Sequence, residues 1–270
     1  MRSFVRLAIL CASAGACAVA TGSDDGGTSE AGNDDASTFD VKADVVDASA
    51  NDAGKIDAAP DAPASLFASL QVNEVAPNVT NNEDIIELVA TTGGSVLGIS
   101  IEQDITTKVV FATLPDVTVA KGDIVVIHLN PPNGVATELT HQTDCASPSC
   151  YPNAWDIAGG TTAITYSGRL LLARGPDAGI QDGVAFYRSG TSSPATFFDQ
   201  VEALQDAGQW LPADCSGNAC STNALAQAIS FNWAGLPATL VTTAARSGNA
   251  DTNAAGDWKV GASSLGAPNP

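Results

Sequence analysis

Basic residues are scarce in this sequence. Only 11 Lys and Arg stand against 30 Asp and Glu, which gives a formal net charge of −19 at pH 7. Because nucleic acids and anionic lipid surfaces are themselves polyanions, this imbalance opposes non-specific binding to either of them. We therefore expect no nucleic-acid partner, and membrane contact only through an N-terminal lipid.

Residues that build common catalytic sites are also few. The chain has 2 histidines, His128 and His141, which we expect at exposed loop or strand-end positions. No G-x-S-x-G nucleophile motif, phosphate-binding loop or dinucleotide-binding fingerprint occurs. These absences argue against a serine hydrolase and a nucleotide-dependent enzyme, and no cofactor is expected.

Long apolar runs are missing as well, and the apolar stretch near the N-terminus is too short for a membrane-spanning helix. There, two arginines in MRSFVR precede LAILCASAGA, which is the layout of a secretory signal over residues 1–20. Cleavage at an A-x-A site over residues 18–20 would release a secreted product. Alternatively, the run ending at Cys17 resembles a bacterial lipoprotein box. Both routes predict export to the cell envelope, the second as an outer-membrane lipoprotein lipidated on Cys17.

Residues 21–64 differ in composition from the rest of the chain. They are rich in Ala, Asp, Gly and Ser, and they carry eleven acidic residues against Lys42 and Lys55. Bulky apolar side chains are too few to offset the entropy lost on ordering such a segment. We expect a disordered, extended acidic linker that connects the N-terminus to a folded domain.

From residue 65 to residue 270 the pattern is that of an all-β domain. Short apolar or alternating runs, such as DIIELVAT, DIVVIHL and RLLLARGPD, recur at intervals of about ten residues between Gly, Pro, Asn and Asp. This pattern predicts an antiparallel β-sandwich or barrel, with long loops near residues 130–165 and 188–225. Only EALQDAGQW and NALAQAI are candidates for helices.

Motifs at both ends of this domain resemble a known family. The first runs contain N-E-V at Asn73 and Glu74 and I-E-L at Glu87, and a last motif places polar and aromatic residues in a fixed order. That last motif comprises Arg246, Asp251, Thr252, Asn253, Ala254, Asp257, Trp258, Gly266, Ala267, Pro268 and Asn269. Together they resemble the lamin-tail domain, which is found in nuclear lamins and in many secreted bacterial proteins. The resemblance implies an immunoglobulin-like antiparallel β-sandwich over nearly all of residues 69–269.

Glu74 and Glu87 allow two interpretations. As buried structural groups they would accept hydrogen bonds from backbone N–H groups or pair with an arginine such as Arg246. As a catalytic pair they would need to lie close together, with the pKa of one of them raised. The structural interpretation is favoured, because nothing in the sequence indicates a substrate cleft. We therefore expect a non-enzymatic exported or surface-anchored module that contacts a protein or glycan or has a structural role in the envelope, with a secreted hydrolase as the alternative.

The cysteines of the domain form two C-x-x-x-x-C pairs. In an exported protein these are expected to be disulfides, which would brace the long loops. We expect Cys145 to pair with Cys150 and Cys215 with Cys220, because local pairing is kinetically easier than a bridge between the two loops. A four-cysteine zinc site is the alternative.

Two weaker signals lie elsewhere in the domain. The run DTNAAGD over residues 251–257 faintly resembles a calcium-binding loop but has alanine where oxygen ligands are needed, so no metal is expected. Trp155 and Trp210 lie near the cysteine loops in sequence. They pack in the core or, alternatively, serve as exposed anchors for a partner.

Overall fold

The computed structural model describes residues 66–105, 107–131, 135–145, 150–211, 221–248 and 251–270. The predicted signal and linker, including Cys17, lie outside these residues, and so do Cys215 and Cys220. None of the helices in the described ranges has the length and apolar character needed to cross a membrane.

The described part of the chain folds into thirteen strands and two α-helices. The strands are β1 Ser69–Ala76, β2 Ile85–Thr92, β3 Gly94–Ser95, β4 Ser100–Gln103, β5 Val109–Thr113, β6 Thr118–Val119, β7 Ile124–His128, β8 Ala154–Ala158, β9 Arg169–Arg174, β10 Ile180–Tyr187, β11 Phe231–Asn232, β12 Thr242–Arg246 and β13 Trp258–Ala262. The helices are α1 Phe197–Asp206 and α2 Asn223–Ile229.

Two sheets contain most of the strands. The larger sheet has the order β13-β12-β1-β2-β7-β8, the smaller has the order β11-β10-β9-β4-β5, and β3 pairs with β6 in a separate ribbon. One apolar core cluster takes residues from both sheets, including Ile86 and Leu88 of β2, Leu171 of β9 and Phe186 of β10. The predicted all-β sandwich is confirmed.

The larger sheet is covered on both faces. Side chains alternate along a strand, so Ile86 and Leu88 point into the main core while Ile85 and Glu87 point to the opposite side, here called the outer face. Ile85 joins Ile124 and Tyr151 in a second apolar cluster on that face. This double burial explains why β2 and β7 read as nearly continuous apolar runs.

Two features of the fold differ from the sequence prediction. The predicted loop over residues 130–165 contains β8, which pairs in parallel with β7 after a long connection. Strand β11 also pairs in parallel, with β10. Parallel neighbours need such long connections, whereas antiparallel neighbours can be joined by a tight turn. The predicted loop over residues 188–225 contains α1 and the start of α2, which matches NALAQAI.

Candidate functional site

A β-bulge in β1 brings the two glutamates of the opening motifs together. The register between β1 and β2 shifts between Val72 and Glu74, which leaves Asn73 without an opposite residue and sets Glu74 directly across from Glu87. Both glutamates have an exposed fraction of 0%. The side chain of Asn73 donates from Nδ2 to Glu87 Oε1 at 2.7 Å. The pair therefore lies on the outer face, next to the bulge.

Residues 263–270, here called the closing segment, supply most of the remaining partners of the pair. Ser264 donates to Glu74 from its backbone N at 2.9 Å and from Oγ at 2.6 Å, and Thr243 Oγ1 donates to Glu74 Oε1 at 2.5 Å. The backbone N of Gly266 donates to Glu87 Oε2 at 2.6 Å. All four carboxylate oxygens therefore accept hydrogen bonds from the protein itself, as the structural interpretation expected.

The closing segment is held in place by Gly266 and Asn269. Gly266 has a φ of +77°, and a Cβ at this position would lie within 2.6 Å of the Tyr151 side chain, so only glycine fits. Asn269 Nδ2 lies 3.0 Å from two oxygens of Asn73 and 3.1 Å from the carbonyl oxygen of Arg246. These contacts tie the segment to both β1 and β12.

Arg246, which we had expected as a possible partner of the glutamates, pairs with aspartates instead. Its guanidinium is 1% exposed and donates from Nη2 to Asp182 at 2.9 Å and from Nη1 to Asp251 at 2.7 Å. Nε donates to the carbonyl oxygen of Val72 at 2.7 Å, and the Trp258 ring lies 5.0 Å away. The arginine thus joins β12 to β1 and to β10, because Asp182 lies on β10.

The segment DTNAAGD forms the remaining side of this arginine site. Asp257 Oδ2 accepts hydrogen bonds from the backbone N of Thr252 at 2.8 Å and of Ala254 at 3.2 Å, and it lies 3.5 Å from Arg246. Asp251 faces the same guanidinium. The carboxylates that suggested a calcium loop are therefore oriented toward Arg246 and backbone N–H groups.

Burial changes the protonation of two of these acids. Burial raises the pKa of Glu87 to about 8, helped by the negative charge of Glu74 and opposed by the hydrogen bonds from Asn73 and Gly266. Burial likewise raises the pKa of Asp182 to about 6, although the charge of Arg246 opposes it. Glu87 is thus protonated at neutral pH beside a second carboxyl group, which is a property of acid/base pairs.

A second polar cluster joins the last residue of β7 to the middle of β8. His128 Nε2 lies 2.6 Å from Asp156 Oδ1, and the backbone N of Tyr151 donates to Asp156 Oδ2 at 2.8 Å. His128 does end a strand, but its side chain is only 3% exposed, so the expectation that it is exposed was wrong. The ring of Tyr151, which lies in the long connection between β7 and β8, stacks on His128 with the ring centroids 5.8 Å apart and helps to bury it.

The predicted disulfide of this connection is present. Cys145 and Cys150 are bonded, with their Cα atoms 5.7 Å apart. Their sulfur atoms lie near Asp156, but bonding to each other removes both thiolates from metal coordination. The second expected disulfide, between Cys215 and Cys220, lies outside the described residues.

The same connection carries a partly exposed aromatic pair. The rings of His141 and Trp155 lie 5.3 Å apart, and with Asp123 and Asn153 they line a cavity of about 120 Å³. Trp155 is half-buried and packs against the main core, as the core interpretation expects, and the rest of its ring is exposed beside His141. Trp210 is fully buried and donates to the carbonyl oxygen of Ile229, so it is a core residue.

A family model, TP_1001_2nd, whose description reads "protein second domain", matches residues 68–260. The match runs from the residue before β1 into β13, and its description names no activity. No curated protein matches the chain.

Proposed function

The chain belongs to the TP_1001_2nd family, and we propose that its domain is an exported, non-enzymatic binding module of the lamin-tail type that contacts a protein or glycan. One observation carries the proposal. All four oxygens of Glu74 and Glu87, the residues best placed for catalysis, accept hydrogen bonds from the protein itself.

A hydrolase that uses two carboxyl groups needs them to reach the bond that is cleaved. One must protonate the leaving group, and the other must reach water or the reacting carbon. In this domain the closing segment covers both groups, and each has an exposed fraction of 0%. This burial favours a structural role for Glu74 and Glu87, whose hydrogen bonds hold β12 and the closing segment against β1 and β2.

The connection between β7 and β8 offers a surface suited to a partner. Leu139 is 69% exposed, and the half-buried rings of His141 and Trp155 lie close to the polar side chains of Asp123 and Asn153. Aromatic faces beside hydrogen-bonding groups suit both protein side chains and sugar rings. The Cys145–Cys150 disulfide restrains this connection, which reduces the entropy lost on binding.

The proposed location follows from the N-terminal sequence. If Cys17 carries lipid, the protein should enter the detergent phase on phase partitioning, and Cys17→Ser should release it into the aqueous phase. Partitioning that is unchanged by this substitution would contradict lipidation. A mature N-terminus at Thr21 would indicate simple secretion.

The binding proposal can be tested with the full chain on arrays of envelope glycans and with isolated envelope proteins. We expect saturable binding that Trp155→Ala abolishes. Phe67→Ala, which removes a partly exposed aromatic ring elsewhere in the domain, is the matched control and should bind like the wild type. Loss of binding in both variants, or in neither, would contradict the assignment of the binding surface.

The raised pKa of Glu87 favours the alternative of a secreted hydrolase. This alternative predicts turnover of a glycoside or peptide substrate that Glu87→Gln and Glu74→Gln each abolish without unfolding the protein. That result would replace the proposal of a binding module.

A further inference from the structure

The connection between β7 and β8 brings potential metal ligands together around the Cys145–Cys150 disulfide. The two sulfur atoms and a carboxylate oxygen of Asp156 all lie within 4.8 Å of one another. Ligand atoms on a tetrahedral zinc ion are about 3.3–3.8 Å apart, because Zn–O and Zn–S bonds are about 2.0–2.3 Å long. Small rotations of these three side chains would therefore bring them onto one ion.

Glu138 adds a fourth carboxylate or thiolate ligand to this group. Its Oε1 lies 3.9 Å from Cys150 Sγ, and its backbone N donates to the carbonyl oxygen of Asp156 at 2.9 Å, which holds the residue beside β8. Glu138 is only 2% exposed, yet its Oε2 forms no hydrogen bond with any residue that the structure describes. A buried carboxylate oxygen without a partner costs free energy. A cation bound next to Cys150 would remove that cost.

Asp156 is already held in a fixed orientation. Its Oδ1 lies 2.6 Å from His128 Nε2, and its Oδ2 accepts a hydrogen bond from the backbone N of Tyr151 at 2.8 Å. Each carboxylate oxygen has two acceptor positions, so one hydrogen bond leaves room for a metal ion. Hydrogen bonds from neighbouring groups commonly orient the carboxylates that bind metals. His128 and Tyr151 would have this supporting role.

The disulfide decides whether the group can bind a metal at all. While Cys145 and Cys150 are bonded to each other, neither offers a thiolate. A dithiol reductant removes this block by thiol–disulfide exchange: it transfers two electrons and two protons to the disulfide, the S–S bond breaks, and the reductant becomes a disulfide itself. A metal ion that then binds displaces the two protons and leaves two thiolates as ligands.

We propose that the reduced protein binds one zinc ion through the thiolates of Cys145 and Cys150 and the carboxylates of Asp156 and Glu138. The ion then restrains the connection between β7 and β8 in place of the disulfide, so the two arrangements exclude each other. The proposal goes beyond the binding module described above and does not depend on it.

The donor atoms favour zinc over other metal ions. Calcium and magnesium ions prefer oxygen ligands alone, so two thiolates argue against them. Copper(I) prefers sulfur ligands, so two carboxylates argue against it. Two thiolates and two carboxylates carry four negative charges, the same number as the four-cysteine sites that bind zinc in other proteins.

The test uses the full chain with Cys11, Cys17, Cys215 and Cys220 replaced by serine, so that no other thiol takes part. After reduction and anaerobic removal of the reductant, we expect one zinc ion per chain with a Kd on the order of micromolar or tighter. Cobalt(II), used as a spectroscopic probe, should give the thiolate-to-metal charge-transfer band of a tetrahedral site. The oxidised protein should bind neither ion. Equal zinc binding by both forms, or bound cobalt without this band, would overturn the proposal.

Glu138→Gln tests the fourth ligand. It should weaken zinc binding by the reduced protein by at least about tenfold. Asp144→Asn is the matched control, because it removes an exposed carboxylate that is next to Cys145 in sequence, and it should bind zinc as before. Equal losses in the two variants, or no loss in Glu138→Gln, would contradict the assigned ligands.

Thermal unfolding gives a readout that needs no change at the ligands. Zinc should raise the Tm of the reduced protein and leave that of the oxidised protein unchanged, because only the reduced folded state binds the ion. A Tm of the reduced protein that does not respond to zinc would overturn the proposal.

A second arm separates this site from a four-cysteine site. Zinc binding by the reduced chain that retains Cys215 and Cys220, without binding by the serine variant, would show a four-cysteine site and overturn the proposal. Trp155→Ala keeps all four proposed ligands. That variant should lose the partner surface and still bind zinc after reduction, so the two proposals can fail separately.

Discussion

Glu87 should make the stability of the domain depend on pH in an unusual direction. Burial raises the pKa of this group to about 8 in the folded protein, from an ordinary value of 4.5. The folded state therefore holds a proton that the unfolded state releases between these two values. This proton stabilises the folded state by its full amount below pH 4.5, and the stabilisation is lost as the pH rises through 8.

The size of the effect follows from the two pKa values. Lowering the pH from 8.5 to 6 should raise the free energy of unfolding by about 2–3 kcal/mol through Glu87 alone. Asp182, with a pKa of about 6, adds a smaller contribution of the same sign that develops mainly below pH 6. The domain should therefore be more stable in mild acid than in mild base.

Urea denaturation followed by tryptophan fluorescence at pH 6, 7 and 8.5, at constant ionic strength, measures this dependence. Glu87→Gln should remove most of the slope. At pH 6 the variant should be less stable than the wild type by about 1–3 kcal/mol, because its amide N–H₂ faces the donor of Gly266 or of Asn73. Glu202→Gln makes the same substitution in α1, away from the glutamate pair, and should keep the wild-type slope. A wild-type free energy that is the same at pH 6 and 8.5, or a slope retained in Glu87→Gln, would refute the reasoning.

Three further predictions concern other parts of the chain. Arg246→Met leaves the buried Asp182 carboxylate without its cation and should lower the free energy of unfolding by about 3–5 kcal/mol in urea; a loss under about 1 kcal/mol would contradict the central role of this arginine. Replacing Cys145 and Cys150 together by alanine should cost about 2 kcal/mol, and peptide mapping without reduction should find the two cysteines joined, whereas free thiols would reject the pairing. The full chain should show no saturable binding to duplex DNA in a low-salt anisotropy titration, because its basic residues are few; micromolar binding that weakens steeply with salt would show this expectation to be wrong.

The sandwich was predictable because its signals are local. Runs such as IIELVATT and IVVIH are apolar on both faces, are rich in β-branched residues and end at turn residues, so each can be assigned to a strand without knowledge of its neighbours. Strand β8, with the sequence AWDIA, is short and contains one β-branched residue. It becomes a strand through parallel pairing with β7, a long-range contact that no local pattern encodes.

The candidate site was only partly predictable, for a related reason. Asn73, Glu74, Glu87 and Arg246 were identified from motifs, and the structure gathers them around β1. The bulge at Asn73, however, sets the two glutamates across from each other, and Arg246 pairs with Asp182 and not with either of them. Asp182 is one of 30 acidic residues, and its sequence does not show that it pairs with Arg246.

The closing segment explains how two carboxyl groups can have the electrostatics of an acid/base pair without its chemistry. For a substrate to reach Glu74 and Glu87, this segment would have to leave, which breaks the hydrogen bonds from Ser264, Gly266 and Asn269 together. At about 1 kcal/mol for each bond, an opening that breaks four of them is populated roughly once in a thousand molecules. Any turnover through the pair would be reduced by the same factor. The raised pKa of Glu87 is therefore better explained as a consequence of burying the carboxyl group to fasten the closing segment than as a preparation for catalysis.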